Sequence, residues 1–86
     1  MKHATAGTLE SNDCLVTVEA ADQLEIQIDS TVKDVFGEAI EKVILDVLKK
    51  SHIKKIKVSI QDKGALDYTI RARLLTALHR MEEKND

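Results

Sequence analysis

The chain has 86 residues, with 13 Lys and Arg against 15 Asp and Glu, and a formal net charge of −2. This length allows one domain, because domains typically have about 100–150 residues, and a hydrophobic content of 43% excludes wholesale disorder. The balanced charge and the presence of only one Tyr, one Phe and no Trp disfavour nucleic-acid binding. A single cysteine excludes an internal disulfide and a zinc site built from several thiolates.

The sequence has no feature typical of membrane insertion or export. No apolar run approaches the roughly 18 residues that a membrane span requires. Residues 1–11 contain no apolar core of the signal-peptide kind. We therefore expect a cytoplasmic protein that does not engage a membrane.

The first half of the chain predicts an arm followed by two strands. Residues 1–13 are small and polar, which favours a flexible N-terminal arm. Residues 14–20 and 24–29 alternate apolar and polar side chains, as strands with one buried face do. The short connection between them predicts an antiparallel hairpin. The alternation does not determine the order of strands in the sheet.

The second half predicts a helix, a strand and another helix. Apolar residues follow helical spacing from Val32 to Leu48, with Ser30 or Thr31 as the N-cap and Thr31 and Asp34 at capping-box spacing. Residues 53–60 return to period two, and a second apolar helical stripe runs from Leu66 to about residue 82.

The element order β-β-α-β-α predicts an α+β two-layer sandwich, in which a three-stranded sheet carries both helices on one face. The domain organisation expected from this pattern is a flexible arm over residues 1–13 and a single α+β domain over residues 14–86.

Few residues form a pattern that suggests catalysis. The histidines, His3, His52 and His79, are widely separated, and none has the i, i+4 spacing of a helical metal pair. Cys14 falls on the inward face of a strand, where a thiol usually acts as a small hydrophobic group. The lysines between residues 49 and 57 fit either a solvated strand edge or a docking patch for an acidic partner. The turn at residues 62–67 fits either a helix start or a partner-binding turn.

Three sequence motifs, taken in order, resemble a known family. They are A-G-T-L-E-S at residues 6–11, F-G-E-A-I with I-L-D-V-L at residues 36–48, and D-K-G-A-L-D with I-R-A-R-L at residues 62–74. Together they resemble the acyl carrier proteins of bacterial citrate lyase, the gamma chains. The similarity runs from about Ala6 to about Leu78, and the tail after Leu78 departs from it.

This resemblance implies a non-catalytic carrier subunit. Its covalent cofactor would be 2'-(5''-phosphoribosyl)-3'-dephospho-CoA, joined by a phosphodiester to Ser11, the serine that ends the first motif. The thiol of that group would carry acetyl and citryl during cleavage of citrate to acetate and oxaloacetate. The implied partners are the alpha subunit (citrate CoA-transferase), the beta subunit (citryl-CoA lyase) and, during maturation, the prosthetic-group transferase. No catalytic residue, metal, nucleic acid or membrane is implied.

Several alternatives stay open at the level of sequence. Ser30 follows an aspartate and opens a helix, as the modified serine of fatty-acid-type carriers does, although an N-cap role explains it equally. A carrier for malonate decarboxylase would bear the same kind of group. A non-carrier interaction module would dock through its helices or its lysine-rich strand. A small nucleic-acid-binding domain would need aromatic platforms or a G-x-x-G loop, which this chain lacks.

Overall fold

A computed structural model describes residues 2–83 and confirms an α+β two-layer fold. One sheet carries both helices on a single face. The strands lie in the order β1-β2-β4-β3. The elements along the chain are β1 (His3–Gly7), β2 (Cys14–Ala20), β3 (Glu25–Ser30), α1 (Lys33–Lys50), β4 (Ile56–Asp62) and α2 (Asp67–Glu83).

The sheet has four strands, so the prediction of three strands and a loose arm is wrong for residues 3–7. These residues form β1, which pairs antiparallel with β2. Ala4 and Ala6 are buried while Thr5 between them is exposed, and the Arg80 guanidinium of α2 donates to the Thr5 carbonyl at 2.8 Å. Two alanines make a weak apolar signal, but they fit closely beneath a helix. The predicted boundary between residues 13 and 14 therefore falls within a hairpin; residues 1 and 84–86 of the predicted arm and domain lie outside the described residues.

The predicted hairpin of residues 14–20 and 24–29, which form β2 and β3, is also wrong. β4 lies between them, antiparallel to β2 and parallel to β3. Parallel neighbours require a crossover connection, and α1 provides it between β3 and β4. Alternation reports which face of a strand is buried, but it does not identify the neighbouring strand.

The helix starts differ slightly from those predicted. Val32 occupies the N-cap of α1 and forms no side-chain cap, so the expected capping box of Thr31 and Asp34 does not form. The first turn of α1 leaves Phe36 exposed, and α2 begins at Asp67 with Leu66 exposed before it. These apolar residues were predicted to belong to buried stripes.

The core is an aliphatic layer between the sheet and the helices. α2 packs on β1 and β2, whereas α1 packs on β3 and α2. Most inward-facing residues of β1, β2 and β4 and part of the apolar stripe of each helix are buried, and Ile26 and Ile28 of β3 pack against them partly buried. The buried residues include Val16, Val18, Ile44, Val47, Ile56, Val58, Ile60, Ile70 and Leu74. Burial at about 25 cal/mol per Å² of apolar surface makes this layer the main source of stability.

Candidate functional site

Ser11 lies at the end of the β1-β2 hairpin, in the loop of residues 8–13, which we call the Ser11 loop. Residues 8–12 are all exposed. The Asp13 amide donates to the Glu10 carbonyl at 3.2 Å, which closes a turn around Ser11. Across residues 2–83, no other group forms a hydrogen bond with the Ser11 hydroxyl. The described part of the chain thus leaves this hydroxyl exposed and without a hydrogen-bond partner.

The Asp13 carboxylate organises the Ser11 loop from within. Its Oδ2 accepts the Thr8 hydroxyl at 2.7 Å, and its Oδ1 accepts the Cys14 amide at 2.7 Å. The Thr8 hydroxyl in turn accepts the Glu10 amide at 3.2 Å. A short polar loop buries little apolar surface, so bonds of this kind determine its conformation.

Arg73 of α2 fastens the same carboxylate from outside the loop. Its Nε donates to Asp13 Oδ1 at 3.0 Å and its Nη2 donates to Oδ2 at 2.8 Å. This bidentate geometry is the strongest arrangement that arginine makes with a carboxylate. The hydrogen bonds from Arg73, and then from Thr8, hold the pKa of Asp13 well below its usual range. The same contact raises the pKa of Arg73.

Gly7 makes the tight entry into the loop possible. Its φ of +101° lies in the region that favours glycine. A Cβ at this position would lie 1.8 Å from the Cys14 carbonyl oxygen and 3.3 Å from Arg73 Cδ. A side chain at residue 7 would therefore collide with the hairpin and crowd the arginine that holds the loop.

The Ser11 loop also joins the turn that follows β4. The Asn12 amide donates to the Lys63 carbonyl at 2.7 Å, and the Lys63 amide donates to the Asp13 carbonyl at 2.9 Å. Asn12 has a φ of +66°, a left-handed conformation that asparagine tolerates well. The first and third sequence motifs, about fifty residues apart along the chain, are thus adjacent in the structure.

The turn after β4 is organised by the buried residue Asp62. Its carboxylate accepts the Ser30 hydroxyl at 2.8 Å, the Gly64 amide at 3.2 Å and the Ala65 amide at 2.9 Å. The Ser30 hydroxyl also accepts the Val32 amide at 3.1 Å. Ser30 is half-buried, and its hydroxyl both donates and accepts a hydrogen bond, in contrast to that of Ser11.

The other sequence candidates do not converge on a site. Cys14 is fully buried, and burial raises the pKa of its thiol to about 11, which disfavours the thiolate. The histidines lie on β1, after α1 and on α2. No three His, Cys, Asp or Glu side chains of residues 2–83 are grouped as metal ligands. The described part of the chain has no helix that is both long and apolar enough to cross a membrane.

No local pattern in the sequence marks Asp13 and Arg73 as partners. They are sixty residues apart, and neither stands out by composition or periodicity. The only signal available was position: Asp13 follows the first motif by two residues, and Arg73 lies within the third.

Comparison with known proteins gives consistent results. The chain matches the family described as malonate decarboxylase delta subunit over residues 1–81. It is 47% identical to the citrate lyase acyl carrier protein of Treponema denticola over 83 residues, covering 96% of this chain and 95% of the relative. The citrate lyase acyl carrier protein of Streptococcus mutans is 48% identical, with 90% of this chain and 78% of that protein covered.

The chain belongs to the citrate lyase acyl carrier protein family. Members of this family are non-catalytic carrier subunits, and the chain is a carrier subunit of this type. Among solved structures, a chain of a Pseudomonas malonate decarboxylase hetero-tetramer in complex with malonate has the same fold. Its TM-score is 0.81 at 21% identity, with 93% of this chain and 84% of that chain covered. The two chains thus share one architecture.

Proposed function

We propose that this chain is the acyl carrier subunit of a citrate lyase and that Ser11 carries its covalent group, 2'-(5''-phosphoribosyl)-3'-dephospho-CoA, through a phosphodiester. The observation that carries the proposal is the presentation of Ser11 at the end of a hairpin, exposed and without a hydrogen-bond partner among residues 2–83. The proposed partners are the citrate CoA-transferase and citryl-CoA lyase subunits and, during maturation, the prosthetic-group transferase. A cytoplasmic location is part of the same proposal.

The residues around Ser11 suit the attachment of a large group. When bound, such a group supplies a terminal thiol that carries acetyl and citryl as thioesters, so the protein need only position it. Ser11 lies beyond the ends of β1 and β2, and residues 8–12 are all exposed. A modifying enzyme can therefore reach the hydroxyl without opening the sheet.

The Ser11 loop is fixed to the rest of the fold and does not itself extend toward other active sites. The Asn12 amide donates to the Lys63 carbonyl, the Asp13 carbonyl accepts the Lys63 amide, and the Asp13 carboxylate pairs with Arg73. A carrier built this way depends on the length of the attached group to move between active sites. Tethering to a firm base still raises the effective concentration of the carried acyl group at each site.

Mass spectrometry of the chain after co-expression with the citrate lyase prosthetic-group synthase and transferase tests the proposal. Trypsin releases residues 3–33, which contain both Ser11 and Ser30, and fragmentation assigns any added mass to one of them. We expect addition at Ser11, no addition in Ser11→Ala, and normal addition in Ser30→Ala. Addition at Ser30 would overturn the site. No addition, while a known carrier is modified in parallel, would favour a non-carrier interaction module.

A carrier for malonate decarboxylase is the second candidate. The match to the malonate decarboxylase delta subunit over residues 1–81 favours it specifically. Reconstitution separates the two: the loaded chain is mixed with citrate lyase alpha and beta subunits, or with malonate decarboxylase subunits that lack their own carrier. We expect oxaloacetate formation from citrate in the first mixture and no decarboxylation in the second.

A further inference from the structure

The Ser11 loop has no apolar anchor of its own. Leu9, its only large apolar residue, is 53% exposed, and every residue from 8 to 12 is exposed. Two of the residues that bound or form the loop, Gly7 and Asn12, have positive φ. For a residue other than glycine, such as Asn12, this conformation is uncommon, and here the bond from the Asn12 amide to the Lys63 carbonyl holds it. Polar contacts must therefore specify the conformation in which Ser11 is presented.

Most of those polar contacts are made by the Asp13 carboxylate, which forms an ion pair with Arg73. The Asp13 carboxylate accepts four hydrogen bonds, two from Arg73, one from the Thr8 hydroxyl and one from the Cys14 amide. Arg73 lies on α2, next to the buried Leu74, so its backbone is held by the core. The pair thus connects the rigid helix directly to a loop residue two positions from Ser11.

We propose that Asp13 and Arg73 are positioning residues for the modification of Ser11: their bidentate pair holds the Ser11 loop in the conformation that the prosthetic-group transferase recognises. This inference rests on the proposed function. It adds that the transferase reads a folded hairpin, rather than a flexible serine-containing peptide. Gly7 supports the same arrangement by leaving room for the Arg73 side chain, whose Cδ lies 3.3 Å from the position of an added Cβ.

The chain offers a matched control on the opposite side of α2. Arg71 donates to Asp46 of α1 at 2.6 Å, and the exposed fractions of the two arginine side chains are nearly equal, 41% for Arg71 and 40% for Arg73. The Arg71 pair joins two helices and does not touch the Ser11 loop. Asp46→Asn therefore removes the ion pairs of Asp46 with Arg71 and Lys50 without altering the Ser11 loop.

The test measures the steady-state kinetics of prosthetic-group transfer to the purified chain, by intact mass, at a temperature where each variant is fully folded. For Asp13→Asn we expect kcat/KM for the carrier to fall at least about tenfold, since displacement of a reacting group by about 1 Å costs up to a hundredfold. Asp46→Asn should stay within about twofold of the wild type. Thermal unfolding of both variants is followed in parallel.

Arg73→Lys provides a second variant in case Asp13→Asn does not fold. Lysine keeps the charge but cannot form the two-pronged contact, so we expect a fall in kcat/KM that Arg71→Lys does not show. Hydrogen exchange of the Asn12 and Lys63 amides gives a readout independent of transfer. We expect faster exchange in Asp13→Asn and Arg73→Lys, with unchanged exchange in the core strands.

The possible outcomes separate the two proposals. Equal transfer to Asp13→Asn and Asp46→Asn would overturn the positioning role while leaving Ser11 as the carrier site. Transfer to an isolated peptide of residues 3–33 as efficient as transfer to the folded chain would overturn it as well. Failure of the wild-type chain to accept the group, with an active transferase, would overturn the proposed function and this inference together.

Discussion

Two serines lie near the same end of the sheet in very different chemical surroundings. At the end of β4, Asp62 pairs with Cys14 of β2 on one side and with Ser30 of β3 on the other. The Ser11 loop precedes Cys14, so Ser11 and Ser30 flank the end of β4. Ser30 is held by a buried carboxylate and by a helix amide. Among residues 2–83 Ser11 has no such partner, and the Asp13 carboxylate of the same loop is already occupied by Arg73, Thr8 and Cys14.

The difference shows how a fold can reserve one hydroxyl for chemistry. Both regions contain an aspartate that satisfies nearby backbone amides. In the Ser30 region the aspartate also captures the serine, and the result is a structural turn. In the Ser11 region an arginine from α2 takes the remaining acceptor sites, so the loop is ordered while the serine stays available. Substitutions in the two regions should therefore differ in their effects on the stability of the fold.

Substitution of Gly7 should have the largest effect on stability. In Gly7→Ala the new Cβ would lie 1.8 Å from the Cys14 carbonyl oxygen, and the φ of +101° would be strained. We expect the free energy of unfolding to fall by about 2–4 kcal/mol. Gly37→Ala is the control, because its Cβ meets only the flexible Lys33 side chain at 3.2 Å within a helix. It should raise stability by up to about 1 kcal/mol. Urea unfolding measures both, and equal losses would contradict the strained hairpin entry.

Loss of the Asp62 carboxylate should rank second. Asp62→Ala leaves the Ser30 hydroxyl and the Gly64 and Ala65 amides without their acceptor. We expect a loss of about 2–3 kcal/mol by chemical denaturation, since unsatisfied half-buried groups retain their desolvation cost. Asp29→Ala, an exposed carboxylate on neighbouring β3, should change stability by less than about 0.5 kcal/mol. A small effect at Asp62 would mean that water replaces the carboxylate there.

The two serines themselves should differ more modestly. Ser30→Ala removes a bond to Asp62 and one from the Val32 amide, so we expect a loss of about 1 kcal/mol in the free energy of unfolding. Ser11→Ala should leave it unchanged, because residues 2–83 supply the Ser11 hydroxyl with no partner. Parallel thermal melts of the two variants measure this contrast. A clear destabilisation in Ser11→Ala would reveal a structural role that the contacts do not indicate.

The smallest effect should appear only in acid. The hydrogen bonds from Arg73 lower the pKa of Asp13 below its ordinary value of 3.8, so the ionised carboxylate favours the folded state. This stabilisation is complete above about pH 5, declines as the pH falls through the unfolded value of 3.8, and is gone below the lower folded value. We expect the stability of Asp13→Asn to decline less steeply below about pH 4 than that of the wild type.

The pKa of Asp46 is lowered by Arg71 and Lys50. Asp46→Asn should therefore also make the free energy of unfolding decline less steeply in acid, independently of Asp13. Urea unfolding at several pH values measures all three proteins. Superimposable curves for the wild type and Asp13→Asn would show that the Asp13 pair does not persist in solution. That result would also remove the physical basis of the positioning role.

The sequence predicted those features that depend on local periodicity. Alternation identified β2 and β4, whose inward residues Val16, Val18, Ile56, Val58 and Ile60 are buried. Helical spacing identified most of both helices, because an amphipathic helix must bury one stripe whatever lies beneath it. The motif ending at Ser11 also indicated the family, which the relatives confirm. The role of Ser11 as the attachment site stays a prediction.

Only the tertiary structure decided which strands are neighbours and what surrounds each serine. β1 was missed because Ala4 and Ala6 become a buried face only when α2 covers them, and β4 separates β2 from β3 because α1 crosses over the sheet. The Asp13 and Arg73 pair joins residues sixty positions apart, so no local pattern encodes it. Periodicity records how one segment meets the core, whereas pairing and site geometry depend on contacts between distant segments that exist only after the chain has folded.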